Sequence, residues 1–349
     1  MSLKLLHISD LHLEANFWKP QEPTWRRPTP HDPKVAEALA RYVADLRPDG
    51  LLITGDISTD GRVEAFETAK KLFFETVDSP PGWNGLEKFG FSMPQERVHL
   101  VAGNHDWFDP PLGYYPWDLW KRMRGVQKIT NFDTQFSGMF DAVKRPRFAR
   151  WIESSDLRVR VLGIDSSSAA KGKLGQGQVH IDDLEWLQSI YQSDQDNREK
   201  CDLRILLVHH HVALPRTRQF RKTTRLRNRI QTLEAMLRGN IDLVFFGHEH
   251  RKFVGSFSYS GQIPDRRCGY LAKNGCDPDK LFVPCMAGGT TCDDGEPNQG
   301  WCVTIEKLNE CDLFELYYES IEFDGVTKTA KRQDGDTKRI RFHRKSCRG

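Results

Sequence analysis

Six short apolar segments, each ending in polar residues or glycine, constrain the fold of this chain more than any other feature of its sequence. The segments read LKLLHIS, DGLLIT, RVHLVA, RVRVLGI, LRILLV and IDLVFF. Short runs rich in Leu, Ile and Val are typical of the buried strands of an α/β sheet. The sequence therefore predicts a buried sheet built from the first 250 residues.

Helical segments lie between these predicted strands, because apolar residues recur there at spacings of three and four. They cover residues 35–46, 63–77, 181–191 and 225–237. We predict Asp182 or Asp183 as the amino-terminal cap of the third helix. Strands alternating with helices predict an α/β sandwich, and the short turn-separated segments after residue 250 predict a β-rich carboxyl-terminal section.

Composition bounds the class of protein. With 38% hydrophobic residues, the 349-residue chain is too apolar to be mainly disordered. The 51 basic and 48 acidic residues nearly balance, so the overall charge gives no support for binding to nucleic acid or membranes. We predict one domain over residues 1–325, with inserts near 16–32 and 107–134, and a basic tail at 326–349. We interpret that tail as solvated rather than as a phosphate-binding arm.

The first residues and the cysteines indicate the compartment. The apolar run at the start is broken by His7 and Asp10, too early for a signal peptide, and no later run has membrane-spanning length, so we expect no membrane contact and a cytoplasmic location. The eight cysteines include no CxxC pair, which argues against a zinc ribbon. We expect reduced thiols, with a structural disulfide left open.

Polar clusters follow five of the predicted strands directly. They are Asp10-Leu11-His12, Gly55-Asp56, Gly103-Asn104-His105-Asp106, His209-His210-His211 and Gly247-His248-Glu249-His250. Open α/β sheets build their sites on the loops after their strands. One such cluster alone is weak evidence for a site. If the five clusters had no common function, each would need its own structural reason to lie beside a buried strand, where polar groups are costly. The sequence therefore predicts a single polar site at these strand ends.

The residue types in these clusters indicate metal ions. Aspartate, asparagine and histidine form a mixed oxygen and imidazole set, which suits Mn, Fe or Zn and is poor for structural zinc. The set is large enough for two divalent or trivalent ions. Asp56, on a glycine turn, is the natural carboxylate to bridge them, and His248 and His250 offer two imidazoles from one turn.

The order of these motifs resembles that of the calcineurin-like metallophosphoesterase superfamily. The blocks LLITGDISTDGRVEAFETAKKLF, LGIDSSSAAKGKLGQGQVHIDDLEWLQSIY, LVFFGHEH and CMAGGTT are similar to those of its class III cyclic-nucleotide phosphodiesterase branch. The resemblance covers roughly residues 3–320, outside the two inserts and the tail. It implies an αββα sandwich of two mixed sheets flanked by helices, with residues 1–325 as the catalytic domain.

The resemblance also implies a division of the ligands. Those of the first ion would be Asp10, His12, Asp56 and His250, and those of the second Asp56, Asn104, His209 and His248. His105 would stay free to assist the leaving group or to bind a phosphate oxygen. Asp106 either orients His105 or only caps the turn. The chain has Val212 where the family often has proline, so His210 is an alternative ligand to His209, which we favour.

The implied function is hydrolysis by a metal-activated hydroxide, either of phosphodiesters, with cyclic nucleotides as one candidate class, or of phosphomonoesters. One alternative is a nuclease of the same superfamily, in which the basic tail and the aromatic residues Tyr114, Tyr115, Trp117 and Trp120 would hold a nucleic acid. We favour the interpretation that those aromatic residues form a small satellite core. A second alternative, an inactive scaffold that binds a protein partner, would lack ligands, whereas every expected position is filled.

Overall fold

A computed structural model describes most of the chain. The described residues are 2–19, 31–59, 61–107, 131–141, 146–168, 176–197, 201–212, 226–258, 282–289, 298–308, 313–332 and 337–343. Within them the α-helices are α1 (Pro33–Leu46), α2 (Val63–Phe74), α3 (Asn131–Gln135), α4 (Ile181–Asp196) and α5 (Arg229–Arg238). The strands are β1 (Ser2–Ile8), β2 (Gly50–Thr54), β3 (Val77–Asp78), β4 (Lys88–Phe89), β5 (Val98–Val101), β6 (Phe148–Glu153), β7 (Arg158–Gly163), β8 (Leu203–Leu207), β9 (Leu243–Phe246), β10 (Phe253–Ser258), β11 (Phe282–Ala287), β12 (Asn298–Lys307), β13 (Leu313–Asp324), β14 (Thr329–Arg332) and β15 (Lys338–His343).

Two mixed sheets form the centre of the molecule. The seven-stranded sheet has the order β14-β13-β12-β1-β2-β5, with β15 also paired to β13, and its strands β1, β2 and β5 are parallel. The six-stranded sheet has the order β10-β11-β9-β8-β7-β6, and β7, β8, β9 and β11 are parallel to their neighbours in that series. A separate pair, β3 with β4, lies outside both sheets.

Three clusters of buried apolar side chains separate four layers, which are helices, sheet, sheet and helices. One apolar cluster, with members such as Leu5, Leu52 and Phe245, contains residues of both sheets and fills the space between them. A second cluster joins α1, α2 and α3 to the outer face of the seven-stranded sheet. A third joins α4 and α5 to the outer face of the six-stranded sheet. The predicted αββα sandwich is confirmed.

The predicted elements match those in the structure closely. The six apolar runs form β1, β2, β5, β7, β8 and β9, and the four predicted helices form α1, α2, α4 and α5. The predicted cap of α4 was wrong. His180 precedes the helix and its Nδ1 accepts a hydrogen bond from the backbone N of Asp182 at 3.3 Å, whereas Asp182 and Asp183 lie inside the first turn. Among the described residues, no helix is both long and apolar enough to cross a membrane.

The carboxyl-terminal segment contributes strands rather than only a solvated tail. Strands β14 and β15 both pair with β13, and Phe342 of β15 packs into the core between the sheets. Three cysteines in the described ranges, Cys201, Cys285 and Cys302, are buried and form no disulfide there. Other predictions lie outside the described residues, namely those for Tyr114, Tyr115, Trp117, Trp120 and the remaining five cysteines.

A buried ion pair fastens α4 to the six-stranded sheet. Arg204 of β8 is fully buried, and its Nη2 lies 2.9 Å from Oδ2 of Asp194 on α4. Within the described part of the chain, Nε and Nη1 of Arg204 have no hydrogen-bond partner. We therefore expect Asp194→Ala to lower the free energy of unfolding by about 3–5 kcal/mol, because the buried guanidinium of Arg204 loses its charged partner. Urea denaturation measures this, and the double variant Asp194→Leu/Arg204→Met should recover most of the loss. An equally large loss in the double variant would contradict this explanation.

A buried histidine predicts acid sensitivity. His99 of β5 is 1% exposed, and neither ring nitrogen has a hydrogen-bond partner among the described residues. Burial, reinforced by Arg150, lowers the pKa of His99 from 6.5 to about 3. Between these two pH values the unfolded chain binds a proton that the folded chain does not, so stability falls as the pH falls, by about 1.4 kcal/mol per pH unit.

We expect His99→Phe to remove this part of the pH dependence. Because it also removes two unpaired polar atoms from the core, stability at pH 8 should rise by about 1 kcal/mol. Urea denaturation at pH 8, 6 and 5 compares the two proteins. The same loss of stability between pH 6 and pH 5 in both proteins would show that His99 does not cause it.

Candidate metal centre

The loops after five strands meet at one edge of the sandwich. Strands β1, β2 and β5 reach this edge from the seven-stranded sheet, and β8 and β9 reach it from the six-stranded sheet. Backbone hydrogen bonds tie the loops together in pairs. Asp10 N donates to Gly55 O at 3.0 Å, and Gly247 N donates to His209 O at 3.0 Å. The site therefore lies across both sheets, on loops fixed by their backbones.

The side chains on these loops form two adjacent groups. Asp10, His12, Asp56 and His250 form one, and His209, His210 and His248 form the other, with the potential ligand atoms of each group within 4.8 Å of one another. Asn104 joins the second group, because its Oδ1 lies 3.1 Å from His209 Nε2. The structure thus brings together all seven residues predicted as ligands, and it places His210 beside His209.

Asp56 connects the two groups. Its Oδ1 accepts a hydrogen bond from the backbone N of His105 at 2.8 Å. Its Oδ2 lies 3.4 Å from Nε2 of His209 in one group and 4.0 Å from Nε2 of His12 in the other. One carboxylate oxygen therefore faces ring nitrogens of both groups, which is the arrangement that a bridging ligand requires.

Imidazole nitrogens face one another in each group. His12 Nε2 lies 3.1 Å from His250 Nε2, and His209 Nε2 lies 3.1 Å from His248 Nδ1. His209 Nδ1 lies 2.7 Å from the carbonyl O of Thr54, which can only accept, so Nδ1 carries the proton and Nε2 of the neutral ring keeps its lone pair. A backbone carbonyl often fixes a metal-binding histidine in this way. The nitrogen and oxygen donors in both groups fit Mn, Fe or Zn.

The backbone at this site is strained. Nine non-glycine residues in the described ranges have positive φ, and five of them are predicted ligands: Asp10, His12, Asp56, His248 and His250. The left-handed region costs a non-glycine residue about 1–3 kcal/mol and is concentrated at functional sites. Gly103 permits the close approach of two of the loops, because a Cβ there would collide with the carboxylate of Asp56.

His105 and Asp106 have different surroundings. His105 Nδ1 lies 2.9 Å from the carbonyl O of Thr59, which can only accept, so Nδ1 carries a proton and donates it there. Asp106 is fully buried, and its carboxylate accepts hydrogen bonds from the backbone of Gly103 at 2.9 Å and of Ser58 at 2.8 Å. These contacts tie the loop after β5 to the loop after β2, and the contact with the carbonyl of Thr59 orients the His105 ring.

The carboxylates and imidazoles of the site change one another's pKa. Burial alone would raise the pKa of Asp56, but His209 and His105 outweigh it and hold that pKa well below the usual range. Burial opposes protonation of His209, yet Asp56 raises the pKa of His209 to about 9. Burial raises the pKa of Asp10. Because ligands bind metals in their deprotonated forms, metal binding here would release a proton from His209.

Two threonines near the centre, Thr54 and Thr59, were not among the predicted ligands or catalytic residues. Thr54 and Thr59 orient His209 and His105 through their backbone carbonyls, which the residue type does not reveal. The hydroxyl of Thr54 also lies 2.9 Å from Nε2 of the buried His7. Their only sequence signal is their position, directly before and shortly after the Gly55-Asp56 turn.

The comparisons with known proteins agree with this geometry. The family model described as calcineurin-like phosphoesterase matches residues 3–252, which confirms the resemblance. No curated protein matches the chain in sequence. The purple acid phosphatase from yellow lupin seeds is similar in fold, with a TM-score of 0.52 and 11% identity over 98% of this chain and 54% of that one.

Two further structures are more distant. A Staphylococcus aureus protein provisionally assigned as a 5'-nucleotidase has a TM-score of 0.44 and 12% identity, over 88% of this chain and 51% of that one. A 5'-nucleotidase precursor from Thermus thermophilus has a TM-score of 0.38 and 14% identity, over 99% and 55%. The chain spans about half the length of all three structures.

Proposed function

Because the chain belongs to the calcineurin-like phosphoesterase family, we propose that it is a hydrolase with two metal ions that acts on phosphodiesters, cyclic nucleotides among them. The observation that carries the proposal is the pair of ligand groups joined by Oδ2 of Asp56. The similarity of the block around Gly55-Asp56 to the phosphodiesterase branch supports a diester substrate.

We assign the ligands by the group in which each side chain lies. Asp10, His12 and His250 would hold one ion, Asn104, His209 and His248 the other, and Asp56 both. When bound, the two cations would polarise the phosphoryl oxygens and lower the pKa of a bound water to near neutrality. Two hydrogen bonds fix the orientation of ligand side chains. His105 N donates to the carboxylate of Asp56, and His209 Nδ1 donates to the carbonyl of Thr54.

His105 is the group that acts on the substrate directly. Its Nδ1 proton is committed to Thr59, so only Nε2 can contact a substrate. A proton on Nε2 can be given to the leaving oxygen or shared with a phosphoryl oxygen, and either contact stabilises charge that develops as the ester bond breaks. Asp106 contributes by holding Gly103 and Ser58, and thereby the loop that presents Asn104 and His105.

A substrate panel tests the proposal. The Mn-loaded protein is assayed with bis-p-nitrophenyl phosphate, p-nitrophenyl phosphate, cyclic AMP and single-stranded DNA, and its metal content is measured by mass spectrometry. We expect two ions per chain and turnover of the diester and of cyclic AMP. Cleavage of DNA alone would replace the proposal with the nuclease. A protein that binds no metal and turns over none of the four would be the inactive scaffold.

A further inference from the structure

His210 is held in one orientation by residues distant in the sequence. Its Nδ1 lies 2.8 Å from Ser166 Oγ, which also accepts a hydrogen bond from the backbone N of His210 at 3.2 Å. Gly177 packs against the same ring, since a Cβ at Gly177 would lie 2.6 Å from Nδ1. Nδ1 is therefore engaged, and Nε2 is the nitrogen that remains.

That remaining nitrogen is buried and has no hydrogen-bond partner in the described part of the chain. The residue is fully buried, and leaving a buried polar atom unpaired costs about 1–3 kcal/mol. The surroundings of the ring are other imidazoles, with ring centroids 4.3 Å away for His248 and 5.0 Å away for His209. One ring nitrogen from each of the three lies within 4.8 Å of the others. A group of three close imidazoles, one of which carries an unpaired buried nitrogen, suits a cation.

We propose that His210 is an additional ligand of the second ion, so that this position carries three imidazoles from His209, His210 and His248. The inference rests on the proposed function and deepens it. The two positions then differ in chemistry, because the first combines two carboxylates with two imidazoles. Imidazole suits Zn and Fe, whereas carboxylate suits Mn. The second position should therefore select Zn or Fe and the first should accept Mn.

The test replaces His210 with phenylalanine, which keeps a ring of similar size without a ligand atom. The matched control is His99→Phe, the same change at another buried histidine, outside both ligand groups. Equilibrium dialysis against Zn, with metal content read by mass spectrometry, gives the affinity of each position. We expect two ions in the wild type and the control. In His210→Phe the first ion should stay, and the second should bind at least about tenfold more weakly, as even loss of a group supporting a ligand costs that much.

A second readout does not depend on affinity. Cobalt replaces zinc in such sites, and its visible absorption reports its ligands, so we expect the spectrum of the doubly loaded protein to change in His210→Phe and not in the control. Should His210→Phe fail to fold, His210→Leu carries the same expectation. Two ions bound with unchanged affinity and spectrum in the variant would overturn the inference, even if KM rises. Absence of metal from the wild type would instead overturn the proposed function.

Discussion

Asp56→Asn is expected to lower kcat/KM for bis-p-nitrophenyl phosphate at least about a thousandfold. Oδ2 of Asp56 faces both ligand groups, and an asparagine at this position is neutral and offers only one oxygen. Losing an ion removes several kcal/mol of transition-state stabilisation, and each 1.36 kcal/mol is a factor of ten in rate. Steady-state kinetics with added Mn measure the loss, and metal analysis should find fewer than two ions per chain.

The control for this variant is Asp45→Asn, the same change at an exposed aspartate on α1. It should retain both ions and the wild-type rate. If Asp56→Asn also kept two ions and most of its activity, Asp56 would not be the bridging ligand, and the two groups would act as separate sites.

His105→Gln is expected to reduce turnover without loss of metal. His105 belongs to neither ligand group, and its Nε2 is the nitrogen available to a substrate. Proton transfer from a positioned side chain contributes about 10²–10⁴-fold. We expect a loss of that size with cyclic AMP, whose leaving group is an alkoxide, and a smaller loss with bis-p-nitrophenyl phosphate, because nitrophenolate leaves without a proton.

Equal losses on both substrates would show that His105 binds a phosphoryl oxygen rather than protonating the leaving group. Unchanged rates on both would remove it from the reaction. His180→Asn is the matched control, because it changes a histidine that caps α4 to another residue suited to a helix cap. Its rates and metal content should equal those of the wild type.

The strands and the residues of the site were predictable because each requires particular residue types. A strand buried on both faces needs a continuous apolar run, and a metal ligand must be one of a few polar residues. What the sequence does not mark is which sheet a buried strand joins. The runs that form β2 and β8 have the same character, although the strands lie in different sheets.

The failures have equally physical reasons. Asp182 and His180 both offer acceptor atoms, so the cap of α4 depends on where the helix begins, which periodicity does not fix to within two residues. In β15 the alternation Arg339, Ile340, Arg341, Phe342 is a strand pattern, but the high charge of the segment directed the interpretation to a solvated tail. Thr54 and Thr59 act through carbonyls that every residue has.

The site lies across the two sheets and joins residues that are far apart in the sequence. An ion can therefore bind only after most of the chain has been synthesised. Asp10 and His12 leave the ribosome some 240 residues before His250, and no first-ion group exists until both are present. Without an ion, the folded sandwich already holds several of these ligand residues in left-handed conformations. An ion that then binds only the folded chain stabilises it in proportion to its free concentration. If the proposed ions bind, metal supply would therefore set not only the activity of this protein but also its resistance to unfolding and proteolysis.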